Sequence, residues 1–577
     1  MKSHCLSSLV VATLALSAPF TTLAEGWGPV TVGKSGVGAD CSTPSLRKAI
    51  ELATDPNLGY DNEIQITDDL DARFFDGGTL TIDGKALRIV GGFRSRIGQG
   101  CVDLVRDGRS TLSGLGGSAG SVITVRGDSN VQLRHLDIVH GQASHGGGVN
   151  FMGSGSLVVS DVTFASNTAT RGGGLSASGS GPISVYLESG VKFNSNQAVD
   201  GGGVFLGEGA ALEWSGSDAQ MWFNTASDRG GGIFVGRDAT ADIRVRGLFD
   251  PASQGYHASI YGNQGKKGGA IASDAFARIR VAAFDPYTPT VVAYNGAVDT
   301  GGAFHVGGAT EVCINESALI GNTAARGAAL YAVPYVSGGG INRTVIGNKL
   351  RMNTSQCGFQ TVPWCASGVA CSRIDRNQAA LGAVIDFEGA MNALSIDRTS
   401  VSGNRGTHLI YMGSSHNRLE VGRTLIVGNH AVAVVKASVA FLHVRRNTIA
   451  DNALLDVFDI DFRPHAHGDV VVAANLISQP GIPVLRYTGQ TPYFGNVYDN
   501  LSQDASLVAW NLANLTGVPV FDHAFGSYQL HLSSAGIDAT SEGPTEDMLL
   551  NRVVDLPMVP NRRPGTIGDI GALERRR

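Results

Sequence analysis

Charge is scarce in this chain. Asp, Glu, Lys and Arg make up 16% of its 577 residues, against about 25% in an average soluble domain. Neither sign dominates, since 44 Lys and Arg stand against 50 Asp and Glu, a formal net charge of −6. The basic stripe that a nucleic-acid binder needs is missing, so nucleic acid is not an expected partner. Beyond the first two dozen residues no apolar run is long enough to cross a bilayer, and no transmembrane segment is expected once a leader is removed. Paired C-x-x-C spacing is also missing. The cysteine cluster "CGFQTVPWCASGVAC" at 357–371 therefore lacks the signature of a zinc site. Long 3.6-period stretches are broken by glycine runs, which excludes a helical solenoid.

What is present begins with the leader. "MKSHCLSSLVVATLALSAPFTTLAEG" carries one lysine, an apolar run from Leu6 to Phe20 and small residues up to Ala24. This is the pattern of a secretory signal peptide over residues 1–24. It implies secretion to the exterior, the cell surface or the periplasm. Cys5 leaves with it, and six cysteines remain: Cys41, Cys101, Cys313, Cys357, Cys365 and Cys371. An even number in a secreted chain favours disulfides over metal, with the pairing open.

Glycine is abundant, with 78 residues, and it recurs in register with asparagine. "FASNTATRGGGL" at 164–175 is followed by "FNSNQAVDGGGV" at 193–204. A large apolar residue stands three places before each of Asn167, Asn196, Asn224, Asn263, Asn295, Asn322, Asn348, Asn377, Asn404, Asn429, Asn452, Asn475 and Asn500. These thirteen are read as one turn ladder. Asn and Gly tolerate positive φ. At "IVHGQASHGGG" Gly141 stands where Asn is due, so the position is expected to need a left-handed backbone and not amide chemistry. Alanine replaces glycine in the later runs, Ala270, Ala303, Ala328 and Ala329, which implies close packing as well. Alternating stretches such as "GVFLG" and "AFHVG" after each run have the period of a half-buried strand.

A unit of 23–29 residues cannot hide its own apolar face, so the units must stack. The expected fold class is all-β, a right-handed parallel β-helix with a short N-terminal capping helix. Fourteen coils from Gly141 to Asn500 span on the order of 70 Å at the spacing of paired strands. The expected organisation is an N-terminal cap at 25–60, the β-helix at 61–515 and a C-terminal cap or tail at 516–577. In "TPSLRKAIELA", Thr43 is the expected N-cap, Pro44 the first helical residue, and Leu46, Ala49 and Ile50 the face that covers the first coil.

The apolar-x-x-Asn and Gly-Gly-small pattern resembles the repeats of chlamydial polymorphic outer-membrane proteins and other bacterial right-handed, pectin-lyase-like β-helix proteins. It covers 138–385 fully and 386–500 through the asparagine alone. "CSTPSLRKAI" resembles the Cys-Ser-Leu-Arg-Glu-Ala segment that opens many such proteins, with Thr43-Pro44-Ser45 inserted and Lys48 in place of Glu. Ser534 to Ala539 and Asp569 to Glu574 resemble their closing Ser-Pro-x-Ile-Asp-Ala and Asp-Ile-Gly-Ala-x-Glu motifs. The resemblance implies a surface or secreted role and no defined reaction. Autotransporter relatives carry a membrane barrel after the repeat. This chain ends at "LERRR", so it is expected to be a passenger without an anchor of its own.

Relatives of this shape often act on acidic polysaccharides, whose cleavage needs calcium ligands with a base, or paired carboxylates. No Gly-His-Gly occurs, "SHGGG" at 144–148 is a turn of the repeat, and Asp68-Asp69 and "RIR" at 278–280 lack partner clusters. The best candidate is "DVFDIDFRPHAHGD" at 456–469. Alternation puts Asp459 and Asp461 on one strand face. His465, His467 and Asp469 follow the Arg463-Pro464 bend. Together they are the catalytic candidates and also the metal candidates, with a divalent cation the one cofactor the pattern admits. The plainer reading is a polar strand and a turn. Arg171, Arg229 and Arg326 precede glycine runs at corresponding places, which predicts a basic row that either contacts anionic glycans or only solubilises a turn. The leading expectation is an adhesin-like scaffold for extracellular polysaccharide or a surface protein. The alternatives are a polysaccharide lyase or glycoside hydrolase, and a structural envelope spacer.

Overall fold

The computed structural model describes residues 28–570 less 34–40, 59, 72–77, 97–100, 116–119, 247–248, 251–254, 257, 286–287, 338–343, 347–348, 353–371, 463–468, 490–496, 505–510, 512, 522–527, 529, 531–532, 537–539 and 541–568. The expected leader lies outside the described residues, as do Cys357, Cys365 and Cys371.

The chain is a parallel β-helix. One coil shows why. After Asn196 the strand Gln197–Asp200 leads to a glycine turn, then to Val204–Leu206, Ala211–Gly216 and Gln220–Trp222, and Asn224 begins the next coil. Every second side chain of these strands, Val204, Leu206, Leu212, Trp214 and Met221, is buried, as a period of two requires. The same strand of each coil pairs in parallel with its equivalent in the next. Forty-two strands form one such sheet, and an eight-stranded sheet made from the segments before the glycine turns forms another. Register is unbroken through sixteen rungs, from Val30 through Ile64, Ile89, Leu133 and Trp214 to Val497. The interior is therefore stacked like on like. The Phe164 and Phe193 rings lie parallel with centroids 4.7 Å apart, one strand spacing.

Long spacings are absorbed by excursions. The 39 residues between Asn224 and Asn263 include an antiparallel pair, Phe249–Asp250 with Gly255–Tyr256. A second pair, Tyr335–Ser337 with Thr344–Ile346, stands off the rod between Asn322 and Asn377.

Eleven of the thirteen asparagines are fully buried and Asn452 is partly buried, and their amides carry the corner. Asn196 accepts at Oδ1 from the backbone N–H and Nδ2 of Asn167, at 3.1 and 3.0 Å. It donates from Nδ2 to Phe164 O and to Asn224 Oδ1, both at 2.9 Å. Left-handed φ falls on the residue before. Ser166, Ser195, Phe223, Gly262, Tyr294, Gly321, Arg376, Gly403, Gly428 and Asp451 have φ between 53° and 65°. The expectation of a backbone role in place of an amide role is thus overturned. Gly141 ends the ladder by donating its N–H to Asn167 Oδ1. It is glycine because a Cβ there would meet Gly147 O at 1.8 Å.

The single column of thirteen is corrected as well. Asn322 donates directly to Asn377 at 3.0 Å, so Asn348, itself outside the described residues, is not the rung between them. Val345, its apolar partner at minus three, pairs with Val336 in the hairpin. The first ladder closes at Asn452, which accepts from Asn429. Asn475 and Asn500 belong to a second corner, in a ladder running from Thr424 N–H through Asn447, Asn475 and Asn500 to Asn514. Earlier rungs of that corner carry hydroxyls, with Thr290 aligned on Ser317 and Ser372 on Thr399.

Both ends are covered. Helix α1, Leu46–Ala53, buries Leu46, Ala49, Ile50 and Ala53. Its N-cap is Ser45, extended at φ −101° and accepting from Lys48 N–H, so Thr43 and Pro44 precede the cap. Thr43 instead accepts from Ser45 N–H. Strand Val30–Val32 pairs with Glu63–Ile66, so the rod begins inside the stretch expected to be cap alone. A disulfide joins Cys41 to Cys101, tying the cap to the first coils, and Cys313 is buried. At the far end Ile570 donates its N–H to Gly536 O and packs with Leu476, Leu501 and Leu530. Parts of both closing motifs thereby meet under the last coils.

Candidate functional site

Strand Asp456–Phe462 holds the leading sequence candidates. Ile460 is buried, while Asp459 and Asp461 face out on one side. Cross-rung partners engage both. Lys436 Nζ lies 3.2 Å from Asp459 Oδ2, and Ser438 donates to Asp461 Oδ2 at 3.0 Å. Register places Arg486 and Thr488 on the following rung. His465 and His467 lie outside the described residues. Asp469 opens the strand Asp469–Ala473, aligned with Phe441. Among the described residues no group of three or more His, Cys, Asp or Glu gathers as a metal site.

The other candidates separate. Asp69 accepts from Thr111 N–H at 2.7 Å. In "RIR" Ile279 is buried between outward Arg278 and Arg280. His145 of "SHGGG" lines a polar hollow of about 350 Å³ together with Thr79, Ser121, Thr124 and Gln142.

Where the two sheets meet across the glycine turns, two columns of side chains pack against each other as facing walls, with Arg171 over Phe205, Arg229 over Phe234 and Arg326 over Tyr331. One wall carries His145, Arg171, Asp200, Arg229, Lys267, Thr300 and Arg326 in register. The predicted basic row is therefore a mixed one. Arg229 pairs bidentately with Asp200 at 2.9 Å, reaches Asp274 at 2.7 Å and lies over the Phe234 ring. Arg326 pairs bidentately with Asp386 at 3.0 and 3.1 Å, bonds Glu388 and lies over Tyr331. Arg171 sits over Phe205. These cations rest on aromatic faces, and two of them are consumed by carboxylates.

The opposite wall is the outward middle residue of each strand after a glycine turn. Phe205, Phe234, Ala272, His305, Tyr331 and Asp386 follow one another. Arginines cover Phe205, Phe234, Tyr331 and Asp386, and all six residues are buried despite facing outward. His305 Nδ1 lies 2.8 Å from Thr300 Oγ1, and its ring stacks on Tyr331. Burial, then the charges of Lys267 and Arg229, push its pKa down to about 4. The Tyr331 hydroxyl is pushed up by burial and by its hydrogen bond to Glu388. The result is a neutral imidazole and a protonated phenol, closed in by an arginine–carboxylate network. Motif searching missed this group because its members come from residues 300–388 and meet only through register. The usable signal was the middle residue of "VFL", "IFV", "FHV", "LYA" and "IDF".

Comparison with family models, curated proteins and solved structures finds no match to the chain. No helix among the described residues is long and apolar enough to cross a membrane.

Proposed function

We propose that the protein is a secreted or cell-surface β-helix that presents registered columns of side chains to glycans or partner proteins, without catalysis. The observation that carries this reading is the engagement of the outward charges by neighbouring rungs. Glu63 pairs with Arg88, Arg109 with Asp137 and Asp161, Arg229 with Asp200, Asp397 with Arg423, and Asp459 with Lys436. A carboxylate serving as base or nucleophile must instead converge with a partner on a substrate-sized space. Secretion is supported by the leader pattern and by the Cys41–Cys101 disulfide, a bond that persists in oxidising compartments.

The lyase or hydrolase alternative draws on the Arg326–Tyr331–His305 network. There Arg326 is already held by Asp386 and Glu388. One assay separates the readings. The mature chain is incubated with uronate-containing and neutral polysaccharides, following unsaturated-uronate absorbance and new reducing ends, and is then applied to a glycan array. Retention without turnover is expected; turnover of any substrate defeats the proposal.

A further inference from the structure

At the first asparagine corner the left-handed position before each Asn is filled by small residues on most rungs, such as Ser166, Ser195, Gly262, Gly321, Gly403 and Gly428. Four rungs depart from it, two with the charged residues Arg376 and Asp451 and two with aromatic rings. Phe223 at φ +55° and Tyr294 at φ +54° are bulky residues in a conformation that disfavours them. Both are also mostly in water, at 56% and 60% exposure. Backbone strain and exposed apolar surface are each unfavourable to folding, and here they coincide twice at one corner.

The two rings are seated. Register runs through Trp222, Tyr261 and Ala293 on successive rungs, so glycine and aromatic alternate along the neighbouring column as Phe223, Gly262, Tyr294 and Gly321. A Cβ on Gly262 would stand 2.7 Å from the Phe223 ring, and one on Gly321 would stand 2.6 Å from the Tyr294 ring. Each ring thus packs against the glycine of the next rung, where no side chain stands in its way, and remains more than half exposed. Tyr261 meets Phe223 edge-on at 5.5 Å and stacks parallel with Trp222 at 6.3 Å. Phe223 and Tyr294 are two rungs apart, about 10 Å, close to the length of an extended disaccharide. Beyond the buried asparagines runs a column of exposed amides and hydroxyls that includes Gln197, Thr225, Gln264 and Thr323. From Asn194 to Thr323 these three columns contain no charged residue.

We propose that Phe223 and Tyr294, backed by Trp222 and Tyr261, form a platform for a neutral, extended glycan. Its apolar C–H faces stack on the two rings, while its hydroxyls bond the Thr225 and Gln264 column. Aromatic faces carry the negative side of the ring quadrupole and attract such C–H groups. The lack of charge selects against uronates and sulfated chains, which a basic surface would hold. The assignment rests on the glycan-binding form of the scaffold reading and adds a site and a ligand class to it.

The test compares the mature chain with a Phe223→Ser, Tyr294→Ser double variant, using neutral β-linked hexasaccharides and a uronate hexasaccharide, with tryptophan emission and calorimetry as readouts. Serine occupies this position at Ser166 and Ser195, so the variant keeps the corner, and its melting curve verifies that. The mature chain is expected to bind a neutral hexasaccharide with a change in emission and little salt dependence. The double variant is expected to bind at least about tenfold more weakly, with Phe223→Tyr, Tyr294→Phe retaining affinity. Equal binding by the serine variant overturns the platform and leaves the scaffold reading standing. A preference for the uronate, or self-association that the serine changes abolish, also overturns it. If no hexasaccharide binds the mature chain the platform falls, and retention of a protein partner then separates that failure from failure of the scaffold reading.

Discussion

A buried primary amide is costly unless both its ends are bonded, and the corner ladders bond both. Asn263 illustrates the dependence. Its Oδ1 accepts from Asn224 N–H and Nδ2, and its Nδ2 donates to Met221 O and Asn295 Oδ1. Asn263→Ala leaves several buried groups unpaired, so a loss of about 3 kcal/mol is expected. Asn263→Asp is expected to be worse, because a carboxylate oxygen would then face Met221 O and Asn295 Oδ1. Thermal unfolding checks the order, and an Asp variant as stable as wild type would refute the amide's role. The recurrence of Asn was legible in the sequence, but its job was not. Positive φ and amide bonding both favour Asn, and only the structure shows that φ belongs to the residue before.

At the scale of one coil, the glycine turn joins two demands at adjacent positions. The first glycine of each run, from Gly146 to Gly327, has φ between 54° and 73°, while the second, from Gly147 to Gly302, is crowded by backbone, and only in the last run does Ala328 take its place. A Cβ on Gly231 would stand 2.4 Å from both Gln264 O and Gly269 O. Gly428, by contrast, has φ +63° and open space around it. Gly231→Ala is therefore expected to cost more than about 3 kcal/mol through displaced backbone. Gly428→Ala should cost about 1 kcal/mol through φ alone. Equal melting temperatures for the two variants would contradict the distinction. Strands, turns and cap face were readable from period and composition. The helix start was not, because Thr43 and Ser45 are both competent caps and backbone geometry chose the second. Nor could spacing tell one corner from another, since apolar-x-x-Asn serves both Asn452 and Asn475.

Over the whole rod, titration reflects the packed columns of arginines and aromatics. His305 is neutral when folded, with a pKa near 4 against 6.5 for an ordinary histidine. The unfolded chain takes up its proton first as pH falls. The stability that a neutral His305 contributes is accordingly lost from pH 6.5 down to about 4. A shift of this size corresponds to on the order of 3 kcal/mol. Burial lowers His145 and His408 in the same direction. His305→Gln should flatten the fall in melting temperature between pH 7 and 4.5, and an unchanged slope would show that His305 is not buried neutral. None of this was visible in sequence, where His305 is only the middle of "FHV".

The sequence by itself determined that this chain stacks short units into a parallel β-helix. Strand period, turn residues and repeat length are local properties, and a unit too small to bury its face leaves one solution. The tertiary structure alone decided which residues of different coils meet: the amide ladders at the corners, arginines over aromatics, and Asp459 against Lys436. Those contacts depend on rung-to-rung register across excursions of unequal length. Shifting a register by one residue turns every side chain to the other face, and residue spacing along a chain does not record it.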